Sequence, residues 1–145
     1  MDMIILYMII VENIINFNIR NVFYGERVEN NILPNSFFTK FNYSTPLFTT
    51  NGIILYFDIS NINFVKNNNS IYFNVKTNAA IIQLINSIEE QLLRNSNVNK
   101  PVVYNLTKLL KSGTIKNINK TDKLILKMSG IWENSHSCGI TYKII

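Results

Sequence analysis

The last two dozen residues, Asp122 to Ile145, alternate with a period of two. Leu124, Leu126, Met128 and Trp132 fall on one face, and Lys123, Ile125, Lys127 and Ser129 fall on the other. After a polar break from Asn134 to Gly139 the alternation resumes, with Ile140, Tyr142 and Ile144 opposed to Thr141 and Lys143. Successive side chains of a strand point to opposite faces, so this pattern predicts two half-buried strands joined by a loop. The apolar face needs a core to lie on, while the other face carries lysines. A chain of 145 residues is long enough to supply that core as one domain, 1–145.

Upstream, residues 3–19 form a β-branched run that reads as a buried strand followed by a second strand or a helical turn. Asn21 to Asn35 reads as a loop, so residues 1–35 are an N-terminal extension or an extra strand. Phe37, Phe41 and Tyr43 alternate with Phe38, Lys40 and Asn42, which predicts a short strand. Behind the turn dipeptide Asn51-Gly52, Ile53, Leu55, Phe57 and Ile59 alternate with Ile54, Tyr56 and Asp58. Ile71, Phe73 and Val75 then face inward, with Tyr72, Asn74 and Lys76 outward. Only after them does the period change. With Thr77 or Asn78 as cap, Ile81, Leu84, Ile85, Ile88 and Leu92 repeat at helical spacing, and Gln83, Asn86, Glu89 and Glu90 take the exposed side. Leu106, Leu109 and Leu110 give a second short helix stopped by Gly113. The expected fold is mainly β with one or two helices. An OB-like five-stranded antiparallel barrel, its helix between the third and fourth strands, accommodates this order, and a helix-capped β-sandwich is the rival.

Chemistry for catalysis is sparse. There is one histidine, His136, and one cysteine, Cys138, too few for a metal site of three or four ligands. No phosphate-binding glycine loop occurs, nothing orients a Cys-His pair, and adjacent Glu89 and Glu90 diverge on a helix. The chain is therefore not expected to be an enzyme or to need a cofactor. A single cysteine suits a reducing, intracellular compartment. No apolar run approaches a membrane span. The start, Met1 to Val11, lacks the basic flank and cleavage site of a leader, and reads as a buried strand.

Charge is distributed unevenly. Up to Glu90 there are five Lys/Arg against seven Asp/Glu, and from Gln91 onward nine against two. A positive field gathered in one part of a small domain favours phosphate backbones. Lys108, Lys111, Lys116, Lys120, Lys123, Lys127 and Lys143 form the basic set, and Lys76 joins it from the strand side. Single-strand binding also requires flat side chains on which bases stack. Tyr56 and Tyr72 are placed outward by alternation, opposite an apolar stripe that already supplies a core. Trp132 falls in phase with the core residues of its strand. Lysines with few arginines suit backbone contact more than base readout.

The segment Leu126-Lys-Met-Ser-Gly-Ile-Trp-Glu133 and the return Gly139-Ile-Thr-Tyr-Lys143 resemble the closing hairpin of OB-fold single-stranded-DNA-binding proteins from large DNA viruses and phages. Tyr43-Ser-Thr-Pro46 and Asn51 to Phe57 resemble the same pattern more weakly. An Asn- and Ile-rich composition, 24 of each, suits the AT-rich genome of such a virus. The resemblance implies a strand-coating protein of DNA replication and recombination, acting at a viral replication site. It places Lys127, Trp132, Tyr142 and Lys143 in the binding surface. RNA, a second copy of the chain and replication proteins stay open as further partners. No acid follows Glu133, a departure from the acidic tail usual in phage members, so recruitment of partners through such a tail is not expected of these residues. A non-enzymatic β-sandwich used for structure or protein interaction is the alternative function.

Overall fold

The computed structural model describes residues 3–6, 9–116, 118 and 123–145. Its strands are β1 (Met3–Leu6), β2 (Ile9–Asn13), β3 (Val22–Glu29), β4 (Phe37–Ser44), β5 (Thr49–Asn51), β6 (Ile53–Asp58), β7 (Asn63–Val65), β8 (Ser70–Tyr72), β9 (Val102–Val103), β10 (Thr114–Ile115), β11 (Lys123–Glu133) and β12 (Cys138–Ile144). Helix α1 (Ala79–Arg94) follows β8, and α2 (Asn105–Lys111) lies between β9 and β10. The fold is mainly β with two helices, as the periodicities predict. Nine strands make one mixed sheet, and β10, β8 and β7 make a small second one. Among the described residues no sheet closes into a barrel: the main path runs open from β1 to β9. No helix of the described residues is long and apolar enough to cross a membrane.

Strand β11 organises the large sheet. One of its edges pairs with β12, forming the expected hairpin. Its other edge is shared, with β6 taking Lys123–Met128 and β4 taking Gly130–Glu133. The inward residues Leu124, Leu126, Met128 and Ile131 are all buried. They pack with Ile53, Leu55 and Phe57 of β6, Phe41 and Tyr43 of β4, and the inner stripe of α1. Burying each such side chain contributes roughly 1.5–3 kcal/mol relative to exposure.

Three expectations are corrected. Asn21 to Asn35 is not all loop: Val22–Glu29 is a strand paired with β4, carrying a bulge between Tyr24 and Arg27 that hides its period. Asn78 precedes α1 without capping it; its amide instead bridges Ser60 and Asn74, and its side chain is spent there. Glu89 is fully buried, because the helix packs against α2 on that side.

Glu12, on β2, is buried, and its Oε2 has no hydrogen-bond partner among the described residues. Burial raises its carboxyl above the ordinary value of 4.5, with a hydrogen bond to Tyr43 opposing. The fold thus holds that proton more tightly than the unfolded chain does. The neutral carboxyl's contribution is complete below about pH 4.5 and is lost as pH rises through the raised value. Glu12→Gln keeps the neutral form at every pH, and a neutral amide costs less to desolvate. Thermal unfolding between pH 4 and 8 is expected to show the variant more stable by about 1 kcal/mol at neutral pH. The advantage should shrink on acidification; a difference independent of pH excludes titration of Glu12 as its source.

Candidate nucleic-acid interface

The register of β11 against β12 shifts between Met128 and Gly130. Met128 faces Tyr142 and Ile131 faces Ile140, so one extra residue is accommodated at Ser129–Gly130. Such a bulge reverses the parity of everything after it. Inward residues are even-numbered up to Met128 and odd-numbered from Ile131, and Glu133 is accordingly buried. Trp132 therefore leaves the core face on which simple alternation places it. It lies on the outer face, half-buried, beside Phe38 of β4.

Two glycines let these rings lie down. A Cβ on Gly139 would stand 2.7 Å from Cζ2 of Trp132, and one on Gly130 would stand 2.6 Å from Cζ of Phe38. Each ring thus covers a neighbouring strand where no side chain rises. Lys40 is the next outward residue of β4, and Lys127 and Lys143 sit directly opposite each other on β11 and β12. Lys40 and Lys143 are exposed and Lys127 is half-buried. Phe38, Lys40, Lys127, Trp132 and Lys143 therefore share one open sheet face.

Round the edge of β12 this face continues into an open furrow of about 650 Å³. One wall is the outer side of α2 with Asn105, Lys108, Leu109 and Ser112; the other holds Trp132, Thr141 and Tyr142. Burial pushes the Tyr142 hydroxyl above its usual pKa, with the charge of Glu89 adding to the effect, so it stays a neutral hydrogen-bonding group. Lys108, Trp132 from the outer face of the sheet and Tyr142 from its inner face thus meet at one concavity.

The predicted residues divide accordingly. Lys108, Trp132 and Tyr142 come together in the furrow, and Lys127 and Lys143 lie on the adjoining face. Tyr56 is a correction: it is buried, with the Lys123 ammonium 5.0 Å from its ring centroid. Tyr72 is partly exposed but belongs to the small sheet, since β8 pairs with β7 and not with β6. The two tyrosines thus do not share a surface. Lys123 faces Asp58 across the β6–β11 ladder, which attenuates its charge. Lys76 is exposed ahead of α1, Lys116 is exposed beyond β10, and Lys111 lines a separate hollow with Val75 and Gln83. Lys120 lies outside the described residues. Phe38 and Lys40 were missed as site residues, although their alternation with Phe37, Thr39 and Phe41 put them on the outer face.

Behind this face, Glu133 accepts hydrogen bonds from Arg27 at 3.0–3.2 Å and pairs with Lys100 at 3.2 Å. Arg27 in turn lies 3.5 Å above the ring of Phe37. Burial pushes the Glu133 carboxyl up, but the hydrogen bonds and charges of Arg27 and Lys100 outweigh it and hold it below the ordinary value. The cluster clamps β3, the segment before β9 and the end of β11, fixing the strand that presents Trp132. No family model, curated protein or solved structure matches this chain.

Proposed function

We propose that this protein binds single-stranded nucleic acid without strong sequence preference, using the outer face of β4, β11 and β12 and the adjoining furrow. The observation that carries this reading is the presence of half-buried Phe38 and Trp132 beside Lys40, Lys127 and Lys143 on one open face. Flat rings stack bases of any identity, and ammonium groups follow the phosphates. An OB-like architecture belongs to the same proposal. It is supported by a long strand that changes neighbours halfway and by a helix placed ahead of the closing hairpin. Single-stranded DNA is the favoured partner, in a replication or recombination setting, with no catalytic step.

The chain's only tryptophan lies in the proposed face, so its fluorescence reports directly on occupancy. Titration with oligo-dT at about 50 mM salt should quench Trp132 with roughly micromolar affinity, and affinity should fall steeply with added salt. Duplex and RNA probes in parallel settle the preferred form. Trp132→Ala should weaken binding of a labelled oligonucleotide by about 1–3 kcal/mol, the stacking contribution of one base, and Trp132→Phe by less. Absence of oligonucleotide binding at low salt overturns the proposal.

A second reading, a protein-interaction module, is favoured by the β3–β4 hairpin. Phe23, Val28, Ile32 and Leu33 are all more than half exposed there. Clustered exposed apolar side chains commonly mark association surfaces. Under this reading Phe23→Lys and Val28→Lys reduce self-association in sedimentation experiments, while oligonucleotides leave Trp132 unaffected.

A further inference from the structure

The bulge that turns Trp132 outward also builds a small pocket, of about 240 Å³, on the same face. Phe38, Lys40, Asn51, Gly52, Lys127 and Ser129 line it. The extra residue of β11 puts Ser129 at its rim. Gly52, at φ +80°, forms part of its wall, and a Cβ there would stand 3.1 Å from the Met128 carbonyl oxygen. A side chain at that position is thus doubly disfavoured, and the wall is bare backbone.

The electrostatics of this pocket are unbalanced. Lys127 and Lys143 stand directly opposite on antiparallel strands, an arrangement that is destabilising for like charges. Lys40 adds a third positive charge from β4. The ion pairs among the described residues join Arg27 and Lys100 to Glu133 and Arg94 to Glu90, and none reaches these three lysines. Two ammonium groups, an Asn amide and a Ser hydroxyl around one concavity, with the Lys143 charge on the next strand, are complementary to a compact, multiply charged oxyanion.

We infer that this pocket seats one phosphoryl group, with Lys40 and Lys127 gripping its oxygens and Lys143 adding charge from the next strand. The inference rests on the nucleic-acid reading for its biological ligand, but the seat itself recognises phosphate chemistry. A strand that placed one phosphate there would be held in register against the neighbouring rings of Phe38 and Trp132. Non-specific charge on the surface gives no such fixed point.

The test uses inorganic phosphate and pyrophosphate, oligo-dT with and without a 5′-phosphate, and vesicles of neutral or anionic lipid. Amide chemical shifts of Gly52, Lys127 and Ser129 are expected to move on phosphate titration, more with pyrophosphate, and chloride at equal ionic strength should leave them unchanged. Lys40→Gln with Lys127→Gln should abolish those shifts and reduce the salt slope for oligo-dT by about 0.7, the share of the one phosphate no longer neutralised. Lys116→Gln with Lys76→Gln, which removes equal charge elsewhere, should leave the phosphate shifts intact. Trp132 emission in phosphate-free buffer verifies that each variant is folded. If oligo-dT binds but neither phosphate nor the Lys40/Lys127 pair affects these amides, the seat is wrong and the strand-binding reading stands. If phosphate binds at the seat and oligonucleotides do not, the strand-binding reading fails and the seat stands. Binding to anionic vesicles in preference to both soluble forms identifies the phosphoryl source as a lipid headgroup and overturns the strand as its ligand.

Discussion

Gly130→Ala is expected to lower the stability of the domain by about 3 kcal/mol, the upper part of the usual range for forced overpacking. Gly130 sits where β11 passes from β6 to β4 and where the bulge accommodates its extra residue. A methyl group there would collide with the carbonyl oxygen of Thr39 and approach Cζ of Phe38 to 2.6 Å. The Phe38 ring can swing away at modest cost, but the Thr39 oxygen is backbone of the paired strand. Relief therefore requires β4 and β11 to separate at the centre of the sheet. Chemical denaturation of the variant measures the loss. Gly25→Ala is the internal control, because a Cβ at Gly25 meets nothing closer than 3.4 Å. Equal stability of the two variants would show that β4 and β11 do not pack as described. A folded remnant of Gly130→Ala should also bind oligonucleotide poorly, since the ring displaced is one of the two proposed stacking surfaces.

The same position shows where reading from sequence reaches its limit. Alternation located β4, β6, β11 and β12, because each has one face on the core and one toward solvent. It also located α1 from its apolar stripe, although the stripe turns slightly, burying Ile82 and Leu93 where Ile81 and Leu84 were expected. A bulge, however, is a single inserted residue with no compositional mark of its own, and Ser129-Gly130 is an ordinary dipeptide. Carrying the period through it assigned Trp132 to the wrong face. Tyr56 failed for a different reason: its strand is central, between β2 and β11, so both of its faces can be covered. Tyr72 was separated from it by pairing, since the short strand β7 intervenes and takes β8 into another sheet. The lysine excess of the second half was plain in the sequence. Which lysines share a face depends on long-range register, and that register brings in Lys40 from far upstream.

Replacing Glu89 by Ala is the other change expected to have a large effect, against all appearance from its place beside Glu90. The Glu89 carboxylate is buried between α1 and α2 and accepts the backbone N–H groups of Leu106 and Thr107, each at 3.1 Å. It also accepts the Thr107 hydroxyl at 2.6 Å. A helix begins with N–H groups that no residue of its own can satisfy, and Tyr104, which precedes α2, makes no side-chain cap. Glu89 supplies that cap from another helix. Its negative charge also lies at the positive end of α2. Removing it leaves the two backbone donors without their acceptor and the Thr107 hydroxyl with only Asn86 Oδ1, at 3.2 Å, and the loss should be about 3 kcal/mol. Glu89→Gln should lose nearly as much, because one of the two accepting oxygens becomes a donor facing a donor. Glu90 bridges exposed Arg94 across one helical turn, so Glu90→Ala should change stability by less than about 1 kcal/mol. Hydrogen exchange adds a spatial readout. In Glu89→Ala, amides of α2 should lose protection first, while those pairing β11 to β12 keep theirs. Because α2 is one wall of the furrow, Lys108 would then lose its fixed position opposite Trp132 and Tyr142, and oligonucleotide affinity should fall without any change at the stacking rings. Comparable losses for Glu89→Ala and Glu90→Ala would mean that the two helices are not joined through this carboxylate.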